Sequence, residues 1–551
     1  MVMEPRRGDK LPLISWRDLF RRLAGLDAVG VVFALVTVFM ALTTAAWVSR
    51  HAAPPEWDPA VYLRFSLASF KALAHFDLAA FARSYVASMW GIKAPLVTLL
   101  PFPGYFLFGT SFHIALYSFV PLWAVFNYAF YYLVWRLTSL RSVTLLAVVV
   151  ADTMPLMFGL SRQYFVEFPL AVLVVVWLAW WWHAVRCSRW RCVVGVGVLS
   201  GLGLLLKVTF PIYVALPAVV MAWQSRRSST WLMGRGFAVL FLAIAIASTW
   251  YGPNFSTAMD FAFSTSYGTI ASDFSLGPVF SPSTIVAYWL QVLHQGISGY
   301  YGLIGVITLL FWLPRFSSVR TSRPHGRAMM VLVAWIAAPL LVFTFGVNKE
   351  IRYILPALPA LAALLALLLD DVAGKKFGVF SVAVGMLGVA AYVGVSFWPR
   401  LFPPALPVSA LDWRAQRYSF APDPTRWPIP ELHALLESDR QRRGVAAPVT
   451  ALVLASTPAF NLYTLNYYAE LASPRHIEYL EILSQDEQYA NQLLQAAAYV
   501  IVKSGDDVGS TAFNPFGVAL REKIRHDDSL FTFMAELFLP DGSVAAVYRR
   551  R

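Results

Sequence analysis

Between Leu26 and Phe397 the sequence returns again and again to apolar stretches long enough to cross a bilayer. A hydrocarbon core of about 30 Å takes roughly 20 apolar residues of helix. Inside that core the backbone must satisfy its own hydrogen bonds, which a helix does within one segment. Such stretches fall at 27–49, 112–135, 142–160, 166–185, 192–206, 208–224, 236–251, 296–313, 328–346, 352–369 and 377–397, so eleven spans are expected. With 58% of 551 residues in the AVILMFWYC set and 14% charged, purely soluble, disordered and fibrous classes are excluded. The first stretch is too long, and too far from a small-residue cleavage site, for a signal peptide, and reads as a permanent helix.

The net charge of +13 is mainly a topology signal. An inside N-terminus places Arg6, Arg7, Lys10, Arg17, Arg21 and Arg22 in the cytoplasm, with Arg136, Arg141, Arg186, Arg189, Arg191, Arg226, Arg227, Arg235, Arg315, Arg320, Arg323, Arg327, Lys375 and Lys376 on later inner flanks. The outer loops hold fewer, and an odd number of spans then puts the C-terminus outside. Nucleic acid is discarded as a partner. Cys187 and Cys192 are too few for a disulfide framework or a zinc site and are expected as unlinked thiols in one short loop.

The chain divides into a membrane domain at 1–398, a proline-rich linker at 399–430 and an α/β domain at 431–551. Two large outer loops are expected at 50–111 and 252–295, each with amphipathic stretches suited to the interface, such as 61–76 and 285–296. Asn254, Phe255 and Ser256 spell a glycosylation sequon that nothing else supports. In the last domain strand patterns at 449–456, 476–483 and 499–504 alternate with helical ones at 461–472, 486–497 and 516–527. Asp541 and Gly542 then mark a closing hairpin. The glycines of 195–205 read as close helix packing rather than a phosphate loop.

Charges beside hydrocarbon are functional candidates. The assigned topology brings Asp58, Lys93, Arg162, Glu167, Lys207, Lys349, Glu350 and Arg352 to the outer face. A lipid phosphate needs Lys or Arg, and a hydroxyl nucleophile needs a carboxylate base. Asp58 and Glu167 offer a base and an orienting carboxylate, or together oxygen ligands for a divalent metal such as Mg or Mn. Each charge taken singly also fits a capping or snorkelling residue. Glu56, Trp57, Arg162 and Tyr353 are further substrate-binding candidates, and Trp57 and Trp90 have faces on which a sugar can stack. His51, His75, His113, His183 and His294 show no metal-ligand spacing.

In order, EWDPAVY (56–62), GIKAPLVTLL (91–100), FGTS (108–111), SRQYFVEFPL (161–170), GLGLLLKVTFP (201–211) and NKEIRYILPALPAL (348–361) resemble the GT-C superfamily of polyprenyl-phosphate-dependent glycosyltransferases. The similarity covers about residues 1–400 and is greatest to bacterial relatives of protein O-mannosyltransferase and of lipid A aminoarabinose transferase. It implies Asp58 as catalytic base, Glu167 as the acidic residue opening the fourth span, Lys93 on the carrier phosphate, and Lys207 and Arg352 as basic groups facing the same cavity. The chain departs from the family pattern at Ile92 and Ala94, and the acidic neighbour of Asp58 is Glu56, two residues earlier. The implied reaction is inverting transfer of a sugar from a polyprenyl phosphate to an extracytoplasmic protein, lipid or glycan acceptor, at a bacterial-type cytoplasmic membrane. The rival class is a transporter or flippase for an anionic lipid or lipid-linked sugar. It would favour midplane charges and repeated halves, and neither is seen in the sequence. For the α/β domain the sequence suggests acceptor recognition or a lid, and for Arg549, Arg550 and Arg551 a solvated tail or headgroup contacts.

Overall fold

The computed structural model describes residues 27–187, 189–225, 229–315, 323–398, 418–472, 475–482, 487–504, 520–521, 523–524 and 530–551. The basic N-terminal segment, most of the proline-rich linker and most of the helix expected at 516–527 lie outside them. The expected class holds, a polytopic helical membrane portion followed by a small α/β domain. The long helices are α1 Ala28–Arg50, α2 Trp57–Ala74, α3 Leu78–Val86, α4 Val120–Thr138, α5 Arg141–Thr153, α6 Glu167–Ala184, α7 Trp190–Leu206, α8 Phe210–Gln224 and α9 Ser229–Ser266. They continue with α10 Gly299–Trp312, α11 Arg323–Thr344, α12 Leu358–Ala373, α13 Phe377–Phe397, α14 Ile429–Arg442, α15 Leu462–Leu471 and α16 Glu487–Ala496.

Helix makes up most of every one of the eleven apolar stretches. By length and composition six helical runs among the described residues qualify as spans, or seven when Pro282–Ile297 and Gly299–Trp312, bent by 109°, count as one. The expected eleven is therefore not reached on that criterion. Trp190–Leu206 and Phe210–Gln224 are apolar but short, and Ile351–Phe397 joins two expected spans in one apolar run. The bend falls at Ser298, whose φ is +88°.

Bare backbone lets the helices approach closely. A Cβ on Gly201 would meet the Ile246 Cβ at 2.6 Å, and one on Gly203 would meet the Phe210 ring at 2.6 Å. Close packing of α7 against α9 and the start of α8 follows, as expected of these glycines, and it holds Lys207 at the α7 terminus.

The loop expected at 252–295 begins later than the sequence suggests. α9 runs through Pro253 to Ser266 without a break, so the segment from 252 to 266 is helix. Asn254 is held inside that helix: its Nδ2 donates to the carbonyls of Val86 at 2.9 Å and Trp250 at 3.0 Å, which removes it as a glycosylation acceptor. The cysteines are also a correction. Cys187 and Cys192 are disulfide-bonded, because the end of α6 and the start of α7 bring their Cα atoms to 6.5 Å.

In the α/β domain β1 Val449–Leu454, β2 Ile477–Leu480, β3 Tyr499–Lys503, β4 Phe531–Phe538 and β5 Val544–Arg550 form one sheet in the order β2-β1-β3-β5-β4. β1 pairs in parallel with β2 and β3, and β5 runs antiparallel between β3 and β4. The sheet buries both faces: Ala451, Val453, Ile501 and Val547 pack on one side, and Leu452, Leu454, Val500 and Val502 on the other. Arg549 and Arg550 are not a tail. They pair within β5, with Arg549 Nη1 3.0 Å from Asp439 and Arg550 Nε donating to Ala497 O at 2.8 Å.

Two sets of bonds fasten this domain to the membrane helices. The segment from Tyr418 to Asp423 accepts from Trp47 Nε1 at Phe420 O (2.9 Å) and from Gln163 Nε2 at Tyr418 O (2.7 Å), and its Asp423 N–H donates to His51 Nδ1 (3.1 Å). Burial holds the His51 imidazole down at about 4, so it stays neutral and accepts that bond. α15 packs on α2, with Thr464 Oγ1 donating to Pro55 O at 2.8 Å and Lys71 paired to Glu470 at 3.0 Å.

Candidate active site

Asp58 lies in the first turn of α2, where a carboxylate suits the positive end of the helix and the missing N–H of Pro59 costs nothing. Its two oxygens are divided between two cations. Lys93 Nζ lies 2.9 Å from Oδ1 and Arg352 Nη2 lies 3.0 Å from Oδ2. Arg352 continues the chain of charge, with Nε 3.7 Å from Glu167 Oε1, and Lys207 Nζ closes on that same oxygen at 2.7 Å. Glu167 opens α6 and is buried at 2% exposure, so its pairing with two cations is what makes its burial tolerable.

These five residues are the charged lining of a cavity of about 300 Å³ between the first outer loop, α6, α9 and the Ile351–Ala357 turn. Tyr62, Phe261, Asn348 and Tyr353 complete much of its wall. Lys207 Nζ sits 3.9 Å from the Tyr353 ring centroid, and Lys93 Nζ is 5.5 Å from both Tyr62 and Phe261. Burial raises the affinity of the Asp58 carboxyl for a proton, but Lys93 and Arg352 outweigh it and hold that carboxyl well below the usual carboxylate range.

Three cations face two carboxylates here: Asp58 Oδ1, Asp58 Oδ2 and Glu167 Oε1 are each paired with a cation, while the buried Glu167 Oε2 has no hydrogen-bond partner among the described residues. A divalent ion held by Asp58 and Glu167 would have to share their oxygens with Lys93, Lys207 and Arg352. Two other groups among the described residues bring three ligand atoms within 4.8 Å, His183 with Cys187 and Cys192, and His325 with Asp370 and Asp371. Neither lines the cavity. In the first the two sulfurs are bonded to each other in the Cys187–Cys192 disulfide, which leaves no thiolate there for a metal.

Of the sequence candidates, Asp58, Lys93, Glu167, Lys207, Arg352 and Tyr353 meet at the cavity, and the rest do not. Arg162 is buried behind it, donating to Ser396 Oγ at 2.8 Å and Tyr392 OH at 2.6 Å, with Phe158 and Tyr392 rings against its guanidinium. Glu56 and Trp57 stand at the start of α2 outside the lining. Lys349 caps α11 through the carbonyls of Phe343 and Thr344. Glu350 accepts from Tyr418 OH at 2.8 Å. Tyr62 was findable in the sequence, one helical turn after Asp58. Tyr418 and Tyr463, which reach this region from beyond the membrane helices, carry no local signal.

The cavity sits in a known architecture. A solved structure of ArnT from Cupriavidus metallidurans in the apo state superposes with a TM-score of 0.54 over 94% of this chain and 97% of that one, at 15% identity. The same enzyme bound to undecaprenyl phosphate gives a TM-score of 0.53 over 95% and 98%, also at 15% identity. The chain has the ArnT fold. A curated relative, the undecaprenyl phosphate-alpha-4-amino-4-deoxy-L-arabinose arabinosyl transferase of Erwinia tasmaniensis, is 27% identical over 276 residues. That match spans about half of each protein, 48% of this chain and 48% of the relative. No protein-family model matches. The resemblance to aminoarabinose transferase relatives read from the motifs is thus met by both comparisons, and the ArnT fold accounts for the helical portion and the small sheet domain together.

Proposed function

We propose that this chain is a membrane glycosyltransferase that moves a sugar from a polyprenyl phosphate to an extracytoplasmic acceptor with inversion at the anomeric carbon. The observation that carries the reading is the clamp of Lys93 and Arg352 on Asp58, linked through Arg352 to Glu167 and Lys207 in one cavity. The relative's name and the lipid phosphate bound to the solved neighbour support it.

A carboxylate shared by two cations, as Asp58 is here, is a poor base. A donor phosphate brings the negative charge that Lys93, Lys207 and Arg352 otherwise take from Asp58 and Glu167. As the phosphate takes over those cations, the proton affinity of Asp58 rises toward the range in which it can accept a proton. The acceptor hydroxyl then attacks the anomeric carbon, its proton passes to Asp58, and the bond from that carbon to the phosphate oxygen breaks. The three cations stabilise the charge that builds on the leaving lipid phosphate. Glu167 holds Lys207 and Arg352 in place, and Tyr353 packs under the Lys207 ammonium. No step is assigned to a metal.

The reading places the N-terminus in the cytoplasm and the α/β domain outside a bacterial-type cytoplasmic membrane, following the positive flanks. The test is transfer from a panel of radiolabelled polyprenyl-phosphate sugars by wild type and Asp58→Asn in the same membranes. Wild-type transfer that falls about 10²- to 10⁴-fold in the variant, with undecaprenyl phosphate still bound, supports the enzyme and its base. Absence of transfer with every donor, together with saturable lipid binding indifferent to Asp58, would move the reading to a lipid transporter.

A further inference from the structure

Three residues before Lys93 the backbone does something side-chain-bearing residues avoid. Met89, Trp90 and Gly91 are left-handed in succession, with φ of +51°, +55° and +75°. Two of them carry a Cβ, and such strained conformations gather at ligand clamps and active sites. Packing accounts for the outer members. Met89 is fully buried, and Gly91 lies against Asn254, whose Oδ1 would be 2.5 Å from any added Cβ. Trp90, the middle member, is 50% exposed, so burial does not explain why the largest side chain is presented there.

Its surroundings do. The indole stands edge-on to Phe65 at 5.1 Å, and 6.4 Å away, tilted by 58°, is the ring of Tyr463 from the α/β domain. Tyr463 is the second residue of α15, which Asn461 caps by accepting from the N–H groups of Tyr463 at 2.9 Å and Thr464 at 3.0 Å. Its position is therefore set by the helix start and by the docking of α15 on α2. Burial raises the Tyr463 phenol, and after Glu481 the charges of Asp58 and Lys93 act on it, which puts the ring near the catalytic pair. Phe65, Trp90 and Tyr463 thus make an aromatic corner at the edge of the site, with half of the indole open.

We propose that Trp90 and Tyr463 form a saccharide subsite in which the apolar C–H face of a pyranose ring stacks on the open indole beside the Tyr463 phenol. The subsite deepens the glycosyltransferase reading and rests on it for its purpose. The ring it holds belongs to the donor or to the acceptor, since both present the same C–H face. A lipid-anchoring indole needs neither a partner from the α/β domain nor a strained backbone to reach the headgroup region.

The experiment uses the full chain in lipid nanodiscs, with saturation-transfer NMR on millimolar methyl glycosides of glucose, mannose and arabinose in the pyranose form. Wild type is expected to saturate the C–H protons of one face of at least one glycoside. Trp90→Phe, which keeps an aromatic face, retains the effect. Trp90→Leu and Tyr463→Ala lose about threefold to tenfold in affinity, the range of a lost aromatic contact. Folding of each variant is checked by circular dichroism and by its undecaprenyl phosphate affinity. Saturation equal in wild type and Trp90→Leu, or none in wild type with any glycoside, overturns the subsite. In turnover, a raised KM for the donor in Trp90→Leu assigns the ring to the donor, and a raised KM for the acceptor assigns it to the acceptor. Both KM values unchanged overturns it. If wild type transfers no sugar while the Trp90-dependent saturation persists, the subsite stands and the transferase reading falls.

Discussion

Glu481 follows β2 in the α/β domain, is 8% exposed, and has no cation paired with it among the described residues. Burial pushes its carboxyl from an ordinary 4.5 up to about 7, against a smaller opposing contribution from a Ser456 hydrogen bond. The sign follows from which form the fold prefers. The folded domain favours the neutral acid, so its stability is greatest below the unfolded value near 4.5, falls as the unfolded chain ionises first, and levels off above about 7. At about 1.4 kcal/mol per pH unit, that window costs roughly 3 kcal/mol of domain stability. Glu481→Gln keeps the shape and removes the titration. The variant should match wild type at pH 4.5 and exceed it by roughly 3 kcal/mol at pH 7.5. Hydrogen exchange at the β1 and β3 amides of the full-length protein, corrected for the intrinsic pH dependence, reads this directly. Equal dependence on pH in the two proteins would refute the reasoning, because the lost stability would then come from another group. Glu481 also acts on the Tyr463 phenol, so its titration reaches the aromatic corner beside the site.

Arg352→Ala leaves Asp58 with Lys93 alone and Glu167 with Lys207 alone and should destabilise by about 1.5–3 kcal/mol, seen as a lower unfolding midpoint. Arg352→Lys keeps the charge but loses the fork that spans both carboxylates, so it should recover stability more than undecaprenyl phosphate affinity, measured by lipid titration. Tyr418→Phe removes one donor to the buried Glu350 and should cost about 1–3 kcal/mol in thermal unfolding, with circular dichroism unchanged at 25 °C. Gly201→Val drives a branched side chain into Ile246, 2.6 Å from the new Cβ. About 1–3 kcal/mol of overpacking should appear as reduced thermal stability, together with weaker lipid-phosphate binding, because α7 carries Lys207 at its end.

What the sequence determined by itself is whatever depends on local composition. Apolar runs become helix because hydrocarbon leaves the backbone no other partner. Charges at the ends of those runs were legible as one set of eight, Asp58, Lys93, Arg162, Glu167, Lys207, Lys349, Glu350 and Arg352, and the resemblance of the surrounding motifs to a known family singled out Asp58, Lys93, Glu167, Lys207 and Arg352 among them. The central strands of the α/β domain were legible from their alternation with helix for a similar local reason.

Tertiary structure decided which charge meets which. Arg162 and Arg352 both stand at the outer ends of apolar runs, yet one is packed among Trp47, Phe158 and Tyr392 while the other bridges two carboxylates. α9 passes through Pro253 as a continuous helix because neighbouring segments hold it, Asn254 against the first outer loop among them. Cys187 and Cys192 meet because two helix ends converge, which a five-residue spacing does not specify. Tyr418 and Tyr463 enter the region of the site from more than 50 residues beyond the preceding membrane-site motif, carried by the docking of α15 and the segment before α14. Hydropathy is summed along the chain and can be read there, whereas an ion pair or an aromatic corner depends on the angle at which two elements pack.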